Sequence, residues 1–125
     1  MIAGVHALVY SEDADATRAF LRDVLRLEGV DSGGGWLIFA LPPAELGVHP
    51  GPGWGRGVGD HELFFMCDEI AATVAELEAR GVQFVSPVAE EEWGLVTRFL
   101  IPGVGEAGLY EPRHPSPLDA FAGEA

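Results

Sequence analysis

The stretches VHALVYSED, residues 5–13, and DHELFFMCDE, residues 60–69, decide the fold, because they present the same pattern twice. Each contains a histidine, a run rich in apolar residues, and an aspartate seven positions after the histidine. The two pairs are His6 with Asp13 and His61 with Asp68. A chain of 125 residues has room for one core, so the repeat predicts two small halves that share it rather than two independent domains.

The first stretch predicts a strand at residues 5–10, and Asp13 or Asp15 can cap the helix that follows. This helix carries an apolar stripe at helical spacing. The stripe consists of Ala16, Phe20, Leu21, Val24 and Leu25. Glycines and a proline pair then divide the chain into three further predicted strands. These strands are residues 27–31, 36–41 and 44–49.

The second stretch predicts the same βαβββ order of elements. Residues 61–67 form the strand, and a helix opened by Asp68 and closed by Gly81 follows. Its apolar positions are Ile70, Val74 and Leu77, and the three further strands are residues 83–88, 95–100 and 106–111. The glycine-rich stretch PGPGWGRGVGD separates the halves as a linker. The single domain 1–125 thus divides into module one at about 4–50, a linker at about 51–60, module two at about 61–112 and a tail at about 113–125.

Composition excludes several classes of function. Seven basic residues against twenty acidic ones give a formal net charge of −13, and the sequence contains no lysine. A nucleic-acid backbone or an anionic membrane would repel such a chain, and Schiff-base chemistry through a lysine side chain is excluded. The single cysteine, Cys67, excludes an intrachain disulfide and a thiolate zinc cluster. With neither a signal peptide nor an apolar run of membrane length, a cytoplasmic protein is predicted.

A second echo links the ends of the two modules. AELGV at residues 44–48 and GEAGL at residues 105–109 both place a glutamate two positions before a glycine and an aliphatic residue. Both stretches lie on the last predicted strand of their module. The pair of His6 and Glu45 in module one therefore has a counterpart in His61 and Glu106 of module two.

In these residues the sequence resembles the vicinal oxygen chelate superfamily, which includes glyoxalase I, extradiol dioxygenases, fosfomycin-inactivating enzymes and bleomycin resistance proteins. The resemblance runs from about Val5 to Pro112 and includes the stretches ARGVQFVSPV, EEWG and LYEP. It implies an α+β fold in which two tandem βαβββ modules form a curved, open half-barrel of mixed sheet, with the helices on the outer face. In such proteins the concave face holds a divalent metal or a drug.

The resemblance also implies a metal site, because the metal-binding members take their ligands from the first and last strands of the modules. The matching positions are His6, Glu45, His61 and Glu106. Imidazole and carboxylate donors suit divalent Fe, Ni, Mn, Co or Zn, and Glu45 or Glu106 could act as a catalytic base. The commoner family pattern has its last carboxylate at the position of Gly108, so Glu106 lies two residues earlier on the same strand face.

Aromatic and imidazole side chains are the candidates for substrate binding. They are Tyr110, Trp54, Trp93 and His49, each with packing or surface exposure as the alternative. His114, next to a proline, is interpreted as a surface histidine, with acid or base service beside the site as the alternative.

Two functions remain open. The first is a metalloenzyme of the glyoxalase or dioxygenase type, which chelates adjacent oxygens of a small-molecule substrate. The second is a metal-free protein that sequesters a cationic drug or metabolite, for which the acidic charge is well suited. Open sheets with exposed strand edges further predict a homodimer.

Overall fold

The computed structural model describes residues 7, 9, 11–45, 61–115 and 117–120. In chain order its elements are α1 (Ala14–Asp23), β1 (Gly29–Asp31), β2 (Leu37–Phe39), β3 (Phe64–Met66), α2 (Ile70–Ala79), β4 (Ala89–Glu91), β5 (Gly94–Ile101), β6 (Gly105–Pro112) and α3 (Pro117–Ala120). The predicted α+β class is confirmed. Among the described helices, none is long and apolar enough to cross a membrane.

The second module forms a four-stranded sheet in the order β3-β6-β5-β4. Strand β3 runs parallel to β6, while β5 pairs antiparallel with both β6 and β4. A parallel pair needs a long connection, which α2, β4 and β5 supply. The chain order β3, α2, β4, β5, β6 is the predicted βαβββ module.

The first module is described in its middle part, by α1 and the antiparallel hairpin of β1 and β2. The predicted strand at residues 5–10 and most of the predicted strand at residues 44–49 lie outside the described residues. The two sheets together form an open arrangement, as expected for a half-barrel.

The core lies between the helices and one face of the four-stranded sheet. Phe99 of β5 is its centre, with ring centroids 6.4 Å from Phe20 of α1 and 5.9 Å from Phe65 of β3. The other buried apolar residues of the core are Ile70, Leu77, Val82, Ile101, Ala107 and Leu109. Both predicted helical stripes pack here. Each fully buried Val, Leu, Ile or Phe side chain contributes about 1.5–3 kcal/mol to the stability of the fold.

The two long helices begin in different ways. Helix α1 begins as predicted after Asp13, whose carboxylate accepts a backbone N–H of the first turn at 3.1 Å. The prediction that Asp68 opens α2 is wrong, because Glu69 is the N-cap residue and makes no side-chain cap. The N–H of Ile70 donates instead to the carboxylate of Glu111 on β6, at 3.0 Å. The capping group therefore comes from a neighbouring strand and not from the local sequence.

The predicted strand at residues 83–88 is wrong in its bounds. Phe84 makes one isolated bridge to β5, and regular pairing with β5 resumes at β4. The carbonyl of Ser86 accepts a hydrogen bond from the hydroxyl of Thr97 at 2.8 Å, and Pro87 has no N–H to donate. These two residues interrupt the ladder. The regular strand therefore begins at Ala89 and not at residue 83, where the apolar pattern places it.

Candidate functional site

Alternation along the strands sends a second set of side chains to the sheet face opposite the helices. We call this surface the site face. It is made of Phe64, Val96, Arg98, Glu106, Gly108 and Tyr110. The register concentrates these residues, because Gly108 of β6 lies between Phe64 of β3 and Arg98 of β5.

The ring of Phe64 lies directly over Gly108. A Cβ atom at position 108 would lie 2.7 Å from Cγ of that ring and closer still to Cδ1 and Cε1. The resemblance implies a carboxylate at this position, and here an aromatic ring fills the space that such a side chain would need. The site face is therefore apolar at the place where a metal ligand would be expected.

Arg98 lies between two carboxylates on the site face. Its guanidinium nitrogens are 3.6 Å from a carboxylate oxygen of Glu62 and 3.6 Å from one of Glu106. The guanidinium also lies over the Phe64 ring, 5.5 Å from its centroid, and the Arg98 side chain is only 13% exposed. A divalent metal bound by Glu106 would lie next to this fixed cation and be repelled. The contacts of Glu106 therefore do not fit the role of a metal ligand.

Removing the cation tests this arrangement. Arg98→Met keeps the apolar stem but leaves the carboxylates of Glu62 and Glu106 facing each other, so we expect the free energy of unfolding to fall by about 1–3 kcal/mol. Urea denaturation measures the loss. Adding Glu62→Gln should recover part of it, because one of the opposing charges is removed. Equal losses in the single and double variants would contradict the pairing.

A second cluster surrounds Glu45, whose side chain is 15% exposed. The hydroxyl of Tyr110 donates to Glu45 Oε1 at 2.5 Å, and Nε2 of His114 is 3.5 Å from the same oxygen. The imidazole ring is stacked on the Tyr110 ring, with centroids 6.0 Å apart and planes at 22°. Trp93 meets the Tyr110 ring edge-on at 5.6 Å. A carboxylate, a phenol and an imidazole thus share one aromatic enclosure.

The environment of Tyr110 raises the pKa of its hydroxyl above the ordinary value of 10.0, first because it is buried and second because it donates to Glu45. The stability that this group contributes is therefore complete below pH 10.0 and is lost as the pH rises further. We expect the phenolate absorbance of Tyr110 to appear at a higher pH than that of an ordinary tyrosine. Subtracting the titration of Tyr110→Phe isolates this absorbance. Glu45→Gln should lower this pKa only in part, since burial remains. A Tyr110 titration at or below the ordinary value would contradict the contact.

The structure brings some of the predicted site residues together and separates others. Glu45, Tyr110 and Trp93 form one cluster, which also contains His114, a residue that the sequence suggested was at the surface. Glu106 contacts Arg98 instead. Along β6 it is four positions from Tyr110, a distance of about 13 Å. Three other predicted residues, His6, His49 and Trp54, lie outside the described residues.

The strand β3 corrects the expected face of the second module. If His61 faced the site as a metal ligand, strand alternation would place Leu63 and Phe65 on the same face, but Phe65 packs into the core against Phe99. Phe64 lies on the site face, and Glu62, not His61, reaches Arg98. His61 itself is exposed and precedes β3. Period-two alternation starting from Glu62 would have identified Glu62 and Phe64.

The predicted metal set cannot be assembled from the described residues alone. Within residues 11–45 and 61–115, no group of three or more His, Cys, Asp or Glu side chains converges as a metal site. Module two supplies Phe64 over Gly108 and the ion pairs of Arg98, which do not fit a cation. A set that includes His6 remains a prediction.

The sequence matches one known protein family. The profile of the Glyoxalase/Bleomycin resistance protein/Dioxygenase superfamily matches residues 5–112. The chain therefore belongs to this superfamily, which confirms the resemblance predicted from the paired histidine stretches. No curated protein matches the sequence.

Several solved structures share the fold. TnmS3, an antibiotic binding protein from Streptomyces sp. CB03234, is 22% identical, with a TM-score of 0.64 over 89% of this chain and 97% of that chain. Lactoylglutathione lyase from Agrobacterium tumefaciens is 19% identical, with a TM-score of 0.61 over 87% and 92%. A superfamily member from Sphaerobacter thermophilus is 25% identical, with a TM-score of 0.62 over 88% and 98%. Proteins of this fold thus include an antibiotic binding protein and an enzyme.

Proposed function

We propose that this protein binds and sequesters a flat organic cation at the cluster around Glu45 and Tyr110, without using a metal. The observation that carries the proposal is the Phe64 ring over Gly108, which replaces a ligand position by an aromatic surface. The ion pairs of Arg98 support it, because they engage the nearby carboxylates of Glu62 and Glu106. The fold is also that of TnmS3, an antibiotic binding protein.

The cluster around Glu45 has the chemistry that an aromatic cation requires. A carboxylate with little exposure pairs strongly with a desolvated positive charge. The ring faces of Tyr110 and Trp93 beside it can stabilise a cationic ring by about 0.5–2 kcal/mol. The net charge of −13 attracts such ligands from a distance.

Thioflavin T, a flat aromatic cation whose fluorescence rises when it is held rigid, is a suitable probe. We expect saturable binding that Glu45→Gln weakens by about tenfold or more. Glu78→Gln is the matched control, because Glu78 is exposed on α2 and its loss changes the net charge by the same amount. Neutral 2-phenylbenzothiazole should bind more weakly than thioflavin T. If the two glutamate substitutions weakened binding equally, only the long-range attraction of the net charge would be at work, and the proposal would be contradicted.

A metal-dependent isomerase or dioxygenase is the second candidate, and the surroundings of Glu45 favour it. Its carboxylate lies beside an imidazole and a phenol, groups that hold or move protons during such reactions. The resemblance would add His6 and His61 as donors for the metal. Metal analysis of the protein and of His61→Ala decides between the candidates. About one divalent ion per chain, lost in the variant, would favour the enzyme.

We also propose that the chain is a homodimer. The hairpin of β1 and β2 exposes Val30, Trp36 and Ile38, and a second copy is a common way to cover such an apolar surface. Light scattering at micromolar concentration tests this. A molecular mass of 13.3 kDa at every concentration would contradict it.

A further inference from the structure

His114 lies in the cluster around Glu45, in the position that the ring of a bound ligand would take. Its imidazole lies nearly parallel to the Tyr110 ring, with centroids 6.0 Å apart and planes at 22°. Its Nε2 is 3.5 Å from Glu45 Oε1, while its Nδ1 is 2.8 Å from the carbonyl oxygen of Pro115. One flat nitrogen ring therefore contacts Tyr110 through its face, Pro115 through Nδ1 and Glu45 through Nε2.

The contacts of this ring define what the Glu45 and Tyr110 pair recognises. A carbonyl oxygen only accepts hydrogen bonds, so Nδ1 of His114 carries a hydrogen and donates to Pro115. Nε2 faces a carboxylate, a position that an N–H or a cationic ring satisfies best. The Tyr110 hydroxyl is already committed to Glu45 and fixes the direction of its carboxylate. The pair is thus preorganised for a flat ring that presents an N–H at its edge.

The imidazole can leave without disturbing the sheet. Strand β6 ends at Pro112, and the N–H of Arg113 still donates to the carbonyl of Trp93 at 2.9 Å. His114 follows this anchor, and its side chain is 30% exposed. A change in its side-chain torsions alone would open the Tyr110 face, while the backbone pairing up to Arg113 stays in place.

We propose that Glu45 and Tyr110 form a binding site for azoles and related nitrogen heterocycles, and that His114 is the internal occupant that such a ligand displaces. The inference rests on the proposed function for the claim that an external molecule is the physiological ligand. The site itself follows from the contacts of His114 alone. Because His114 competes for the site, its removal should strengthen binding, whereas removal of Glu45 should weaken it.

Imidazole is the direct probe. His114→Ala leaves a gap of the same shape, so imidazole should bind this variant about tenfold more tightly than the unaltered protein, as followed by the chemical shifts of the Tyr110 ring. Arg22→Ala, which truncates an exposed side chain on α1, away from the cluster, should behave like the unaltered protein. Thiazole, a flat ring without an N–H, should bind His114→Ala more weakly than imidazole does.

Adding Glu45→Gln to His114→Ala should abolish most of the gain in imidazole affinity, while a matched Glu78→Gln should not. Equal imidazole binding by the unaltered protein, His114→Ala and Arg22→Ala would overturn the internal-occupant proposal. Thioflavin T separates this failure from failure of the proposed function. If thioflavin T binding depends on Glu45 but not on His114, only the internal-occupant proposal fails. If His114→Ala binds imidazole through Glu45 but no variant binds thioflavin T, only the proposed function fails.

Discussion

Phe99→Ala is expected to lower the free energy of unfolding by about 3–5 kcal/mol. The Phe99 side chain is 0% exposed, and its ring lies against three others. These belong to Phe20 of α1, Phe65 of β3 and Phe84, with centroids 5.9 to 6.4 Å away. Truncation would leave a cavity that these rings could not close together, because each is anchored on a different segment of the chain.

Urea denaturation measures this loss. Leu100→Ala is the control on the same strand, because Leu100 points to the opposite face and is 37% exposed. Its truncation should cost about 1 kcal/mol or less. Comparable losses in the two variants would mean that the core does not centre on Phe99.

Gly108→Ala is expected to destabilise the protein by about 1–3 kcal/mol, although it adds only one methyl group. Cγ of the Phe64 ring lies 2.7 Å from the position of the new atom. The ring would have to turn away, losing its edge contact with Tyr110 and its place beneath Arg98. Gly108 lies in a regular strand without a positive φ, so the cost arises from the ring and not from the backbone.

A double-mutant cycle isolates that cost. In a Phe64→Ala background the added methyl group has room, and Gly108→Ala should then cost less than about 0.5 kcal/mol. Strict additivity of the two substitutions would show that the Phe64 ring does not occupy the space over Gly108. The cycle thus tests the observation on which the metal-free proposal rests.

The paired sequence pattern predicted the βαβββ order because helical stripes and turn residues are local signals. The stripe of α1 and the cap at Asp13 fall where the spacing places them. The start of α2 escaped prediction, because its first N–H is capped by Glu111, 41 positions away. A capping group supplied by a neighbouring strand leaves no mark near the helix itself.

The site was harder to predict because the second stretch is apolar on both faces. In HELFFM, Leu63 and Phe65 alternate with Phe64 and Met66, so hydrophobicity does not decide which set faces the core. The contact between Glu45 and Tyr110 spans 65 positions. Both residues were identified as candidates from the sequence, but their direct hydrogen bond and the stacking of His114 depend on the tertiary structure.

The most direct test of metal-free binding is the affinity for thioflavin T measured on one preparation in two states. The first state is protein dialysed against a chelator, and the second is the same protein with one equivalent of Ni²⁺ or Zn²⁺ added. If the rings of Tyr110 and Trp93 and the carboxylate of Glu45 hold the cation, the two dissociation constants should agree within about twofold. Binding that appears only in the metal-loaded protein would contradict a metal-free site.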